Sequence, residues 1–183
     1  MDWLAQLFSY VCGQANLWAP GGEVLPFCQR CTGLYVGGAY ALLAWAIFRP
    51  RPTSAILWIH GLVLLLMIPF GYHLVPQNGE IRTLTGQLFA AGLAYFLLLN
   101  PAQRLAVWRN EASGNTKAYL AAVVAGLPIL QFTVHFGGSG TAIALAWIGL
   151  AGLAGFALLA LANLVLLPAV AWGFLRKPQS QHP

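Results

Sequence analysis

Cys28 and Cys31 are separated only by Gln29 and Arg30, in the stretch Phe27-Cys28-Gln29-Arg30-Cys31-Thr32-Gly33-Leu34-Tyr35-Val36-Gly37-Gly38, and Cys12 is the third cysteine of the chain. Two thiols at this spacing can close into a disulfide, ligate a metal or pack as small apolar side chains. Arg30 between them favours the thiolate over the thiol, the form that both exchanges and ligates. In a redox centre Cys28 and Cys31 would cycle, Cys12 would form a mixed or resolving disulfide, and Arg30 or Arg82 would stabilise a thiolate or the oxygen of a quinone. In a zinc site Cys12, Cys28 and Cys31 would be joined by His73 or His135. Three is an odd count, so one thiol stays unpaired, all three share a metal, or one awaits a partner protein.

Other chemistries have little to work with. The chain has four acidic residues, too few to expect paired-carboxylate hydrolysis. It shows no phosphate-binding loop and no serine triad pattern. A net charge of +5 comes from nine basic residues scattered between apolar runs, which form no continuous basic face and give no reason to expect nucleic acid.

The elements that must position the cysteines are membrane helices. Of the 183 residues 59% are hydrophobic and 7% charged, against about 25% charged in an ordinary soluble domain. The fold class expected is an all-α, polytopic membrane bundle of about five transmembrane helices preceded by a short N-terminal interfacial helix. Trp3, Leu4, Leu7, Phe8 and Val11 recur at helical spacing with Asp2, Gln6 and Ser9 between them, an amphipathic pattern too short to cross about 30 Å of hydrocarbon. Gly13 ends it, and the loop through Pro20-Gly21-Gly22 to Pro26 returns Cys12 towards Cys28. The first twelve residues contain no Lys or Arg, so no cleavable signal is expected.

Spans are expected at about 32–48, 54–75, 81–99, 118–136 and 141–175. Thr32 is the expected N-cap of the first, Asn100-Pro101 closes the third, and a bend or an end is expected near Pro168 of the last. Gly33 and Gly37 share one face of the first span, and Gly149, Gly152 and Gly155 mark a packing face on the last. Gln87, Gln131 and Asn163 are expected to hydrogen-bond between helices, and His60 to be a packing histidine rather than a haem ligand. The chain divides into an N-terminal cysteine segment, 1–31, a bundle, 32–175, and a tail, 176–183.

With five spans Arg49, Arg51, Arg104, Arg109, Lys117, Arg176 and Lys177 fall on one side and only Arg30 and Arg82 on the other. The positive-inside rule then places the C-terminus in the cytoplasm and the cysteine segment outside it, in a cell (inner) membrane. Trp147 and Trp172 near the ends of the last run suit interfacial belts. Arg30 and Arg82, on the cation-poor side, either bind an anionic group or reach to lipid headgroups.

The stretch from Cys28 to Gly37 resembles a family of bacterial and archaeal membrane proteins known only as a domain of unknown function. Its motif reads Pro-x-Cys-x-Arg-Cys-Thr-Gly-x-Tyr-x-Gly, matched here by Pro26, Cys28, Arg30, Cys31, Thr32, Gly33, Tyr35 and Gly37. A later Arg-x-x-Thr-Gly is matched by Arg82, Thr85 and Gly86. An earlier Cys-His-Gln is represented by Cys12-Gly13-Gln14, with glycine where the family has histidine; if that histidine ligates a metal in relatives, this chain lacks it. An Arg-Ser-Phe segment usual after it is also missing. The resemblance groups these residues and implies no activity. Two function classes stand: a thiol-disulfide or quinone-linked redox protein acting with a thiol partner, or a non-enzymatic zinc-binding or lipid-binding protein, or an accessory subunit, of a larger membrane complex. A transporter is ranked below both, because no span combines an unwound segment with an intramembrane carboxylate.

Overall fold

A computed structural model describes residues 2–72, 74–104 and 115–175, with side chains at all of these except 103–104 and 167–175. His73, Arg109, Glu111, the tail and the Trp172 side chain lie outside the described part. Six helices follow one another: α1 (Asp2–Ser9), α2 (Gln29–Phe48), α3 (Ser54–Gly71), α4 (Gly79–Arg104), α5 (Thr116–Phe136) and α6 (Ser139–Leu175). The last five are long and apolar enough to cross a membrane, which gives the multi-pass all-α bundle that composition implies.

Helix α2 is the axis of the bundle, packed against α4, α5 and α6, while α3 packs on α4. Half of the most apolar window of α2 and of α4 is buried, against 11% of that of α3, so α3 turns most of its surface to lipid. Small residues decide how close the inner helices come. A Cβ on Gly33 would stand 1.9 Å from the Thr83 carbonyl oxygen, and one on Gly86 2.2 Å from that of Arg30. These two glycines let the backbones of α2 and α4 touch at one crossing, the small-residue contact by which membrane helices associate. Gly37 extends that face onto Gln87, and Gly149, Gly152 and Gly155 meet Phe27, the Tyr35 backbone and Leu42. Both glycine faces read from the sequence are therefore packing faces.

Three expected boundaries need correction. Helix α2 starts at Gln29, and its N-cap is Cys28, whose sulfur accepts from the Cys31 N–H; Thr32 lies one turn inside, its hydroxyl donating to the Cys28 carbonyl at 3.1 Å. A widened π-helical turn then runs over Thr32–Val36, a distortion common near functional sites. Helix α4 does not close at Asn100 but continues through Pro101 to Arg104. The proline removes the N–H that would bond Leu97, and Asn163 of α6 donates to that orphaned carbonyl at 2.7 Å. Helix α3 ends at Gly71, short of the expected 75, whereas α6 runs on through 168 to the expected Leu175, about 55 Å in all.

Helix α1 caps one end of the bundle. Leu4, Phe8 and Cys12 repeat every fourth residue and are buried, Phe8 edge-on to Phe27 and close to Tyr35. Its other face, Trp3, Leu7 and Val11, is exposed, and Trp3 meets the half-exposed Trp147 of α6. At the far half of the bundle His60 is buried with its Nδ1 on the Ile56 carbonyl and its Nε2 on the Tyr119 hydroxyl, stacked against Tyr95. Both ring nitrogens serve packing, as expected.

Candidate thiol centre

Two segments bring the sulfurs together. The Leu4–Phe8–Cys12 row fixes Cys12 at the foot of α1, and the Tyr35 hydroxyl donates to the neighbouring Val11 carbonyl at 3.3 Å. The loop after Gly13 is tied down by the Gln14 amide, which donates to the Ala5 and Pro26 carbonyls at 2.6 and 2.9 Å. It is closed by the Gln29 N–H on the Asn16 carbonyl at 3.0 Å. Cys28 and Cys31 occupy the cap and first turn of α2. The three Sγ atoms consequently lie within 4.8 Å of one another, and all three cysteines are free.

The backbone points its donors at this sulfur group. Cys12 Sγ accepts from the N–H of Cys28 at 3.2 Å and of Gln14 at 3.4 Å, and Cys28 Sγ accepts from the N–H of Cys31 at 3.5 Å. Sulfur is a weak acceptor as a thiol and a better one as a thiolate, so the arrangement suits negative charge. The Cys28 thiol donating to Cys12, with Cys31 and the two backbone groups adding to it, draws the Cys12 thiol well below its usual range. Cys28 is pushed up, chiefly because its thiol proton is held in the hydrogen bond to Cys12, with burial adding to it.

A cavity of about 320 Å³ opens over the sulfurs, lined by the cysteines with Gln14, Asn16, Arg30 and Arg82. Arg30 is anchored by donating to the Phe70 carbonyl and to Gln77 Oε1, each at 2.8 Å. The Nε groups of Arg30 and Arg82 are buried with no hydrogen-bond partner among the described residues. Both guanidiniums therefore stand at the thiol end of the bundle without a carboxylate in the cavity lining.

The other expected site residues fall into two groups. Thr32, Gly33, Tyr35, Gly37 and Gly86 build the helix contacts that hold the centre. Among the described residues Thr85 bonds within its own helix, to the Ile81 and Arg82 carbonyls. His135 does not join the sulfur group: its Nε2 meets Glu80 Oε1 at 3.1 Å, its Nδ1 the Gln131 carbonyl, and its ring the edge of Trp18. Sequence reasoning missed Thr83, fully buried, which accepts from the Trp18 indole at 2.8 Å and donates to the Gln29 carbonyl at 3.0 Å, joining loop, α2 and α4. It also missed Gln77, and marked Gln14 only as part of the family motif. No spacing marks these, since each acts on a carbonyl or side chain far along the chain.

Residues 14–96 match the model of a family described as predicted membrane protein (DUF2085). Cys28, Cys31, Arg30 and Arg82 lie inside the DUF2085 stretch, as does the α2–α4 glycine crossing, while Cys12 lies just before it. Neither the curated proteins nor the solved structures contain a match to the chain.

Proposed function

We propose that this integral membrane protein binds a soft divalent metal ion, zinc by chemical class, through the thiolates of Cys12, Cys28 and Cys31. The observation that carries the reading is the convergence of three free sulfurs within 4.8 Å. Tetrahedral zinc with bonds of about 2.3 Å holds its sulfurs about 3.8 Å apart, a short contraction from that spread. The N–H groups aimed at Cys12 and Cys28 support ligation in the same way, since ligands are held in place by hydrogen bonds from their surroundings. Charge agrees too: a divalent ion with three thiolates carries one net negative charge, and Arg30 and Arg82 line the cavity beside it.

Zinc takes a fourth ligand, and among the described residues no histidine or carboxylate joins the three cysteines. The cavity leaves room for one from outside the group. Bound there, the metal would lock α1 and its loop onto the head of α2 and offer an open Lewis-acid position. The charge asymmetry of the sequence supports placing this centre on the non-cytoplasmic side of a cell membrane. The test is metal analysis of protein purified without added metal. One zinc per chain is expected, falling to below a tenth in Cys12→Ser, Cys28→Ser or Cys31→Ser; a metal content that the substitutions leave unchanged would refute the proposal.

A redox reading is favoured by one feature, the access that the cavity gives to Cys28 and Cys31 beside Arg82. In it a partner's disulfide would oxidise the two thiols, forming the Cys28–Cys31 bond and leaving two partner thiols. Thiol counts that shift by two between oxidising and reducing buffers, in metal-free protein from intact cells, would favour it over zinc.

A further inference from the structure

Gln87, expected to hydrogen-bond between helices, is 4% exposed, and its carboxamide oxygen is buried with no hydrogen-bond partner among the described residues. An unmatched amide is costly in hydrocarbon, where no bulk water can satisfy it. Gln87 also lines a second cavity, of about 340 Å³, with Gly37, Tyr40, Leu43, Gly126, Ile129, Leu130 and others from α2, α5 and α6. That volume is of the size that holds small organic ligands, at about 300 to 1,000 Å³.

We propose that this cavity binds a neutral, lipid-soluble molecule of the quinol class, with a ring hydroxyl donating to the Gln87 carboxamide oxygen and its tail in the bilayer. Depth comes first in the argument. Gln87 is eight residues into α4, about 12 Å from its start, and Gly126 is at the middle of α5. Phospholipid headgroups stay at the interface and their acyl tails carry no group for an amide, so the occupant brings its own hydrogen-bonding group into the membrane interior.

Chemistry narrows it further. No lining residue is charged, which disfavours a fatty-acid carboxylate. The other polar side chains there are already satisfied, Tyr40 donating to the Ala122 carbonyl at 2.9 Å and Thr133 to that of Ile129 at 2.7 Å. The Gln87 carboxamide oxygen stands without a donor among the described residues, and an acceptor on the protein calls for a hydroxyl on the ligand, which a quinol carries and a quinone does not. Gly37 and Gly126 let the Gln87 side chain lie close against α2 and α5, since a Cβ at Gly37 would meet Gln87 Cγ at 2.6 Å and one at Gly126 would lie 3.1 Å from Gln87 Nε2. The mouth faces lipid, with Leu43, Ile129 and Ile148 between 44% and 58% exposed as the wall residues.

The test is equilibrium binding of decylubiquinol, kept reduced under anaerobic conditions, to the full-length protein in lipid nanodiscs, against empty nanodiscs. One saturable site per chain is expected. Gln87→Leu weakens it at least tenfold, and so does Leu43→Trp, which fills the mouth from a lipid-facing position and leaves the helix contacts intact; both keep their zinc content. Binding that exceeds empty nanodiscs in neither protein nor variant, or that both variants leave unchanged, overturns the proposal. So does binding of farnesol as tightly as decylubiquinol, which would make the site one for lipid alcohols. Zinc content is read in the same samples, so failure here is distinguishable from failure of the thiol centre.

Discussion

Asn163 repairs a defect that Pro101 creates. The proline leaves the Leu97 carbonyl of α4 without its helical N–H, and the Asn163 amide from α6 occupies it at 2.7 Å while also bonding the Leu159 carbonyl at 2.8 Å. Asn163→Leu should therefore cost about 1 kcal/mol of stability in detergent or bicelles. Pro101→Ala, which restores the N–H, should remove most of that cost in the double variant. Thermal unfolding of the four proteins measures the coupling, and additive effects would show that the two residues act separately. The His60–Tyr119 pair is a second residue-scale test: Tyr119→Phe leaves a buried His60 nitrogen unmatched and should cost about 1 to 2 kcal/mol, with no change in metal content.

At the scale of elements the α2–α4 crossing decides whether the thiol centre can form. Gly33→Leu would drive a side chain into the Thr83 carbonyl, which a Cβ alone would approach to 1.9 Å, and should destabilise by about 1 to 3 kcal/mol or more. Because that crossing carries Cys28 and Cys31 on α2 and Arg82 on α4, zinc binding should weaken along with stability. Gly61→Leu, on a face of α3 with open space around a Cβ, should change neither. The sequence made these elements readable for physical reasons: long apolar runs, small residues four apart and proline-bounded ends are local signals. It misplaced Thr32 as cap because a sulfur, Cys28, does that work, and it ended α4 early because the partner that repairs Pro101 is 62 positions away. Thr83 and Gln77 were invisible for the same cause, and Gln87 was legible as an intramembrane amide but not as one with an unmatched oxygen, which only packing reveals.

For the molecule as a whole, the cysteines, Arg30 and Arg82 gather at one end of the bundle, while Arg49 and Arg51 stand at the other, after α2. If the positive-inside rule governs, a membrane-impermeant maleimide applied to intact cells should label Tyr72→Cys, exposed just after α3, and reach Arg51→Cys only after lysis. The reverse pattern would turn the molecule over without moving the sulfurs. Lowering the pH should release the metal, because protons compete for thiolates and each thiolate regained as thiol is a ligand lost. The measurement that bears most directly on the thiol centre is X-ray absorption at the zinc edge of the protein purified from cells. Three sulfur neighbours at about 2.3 Å with one lighter atom are expected; a zinc-free protein in which Cys28 and Cys31 are joined by a disulfide, or zinc with no sulfur neighbours, would contradict it.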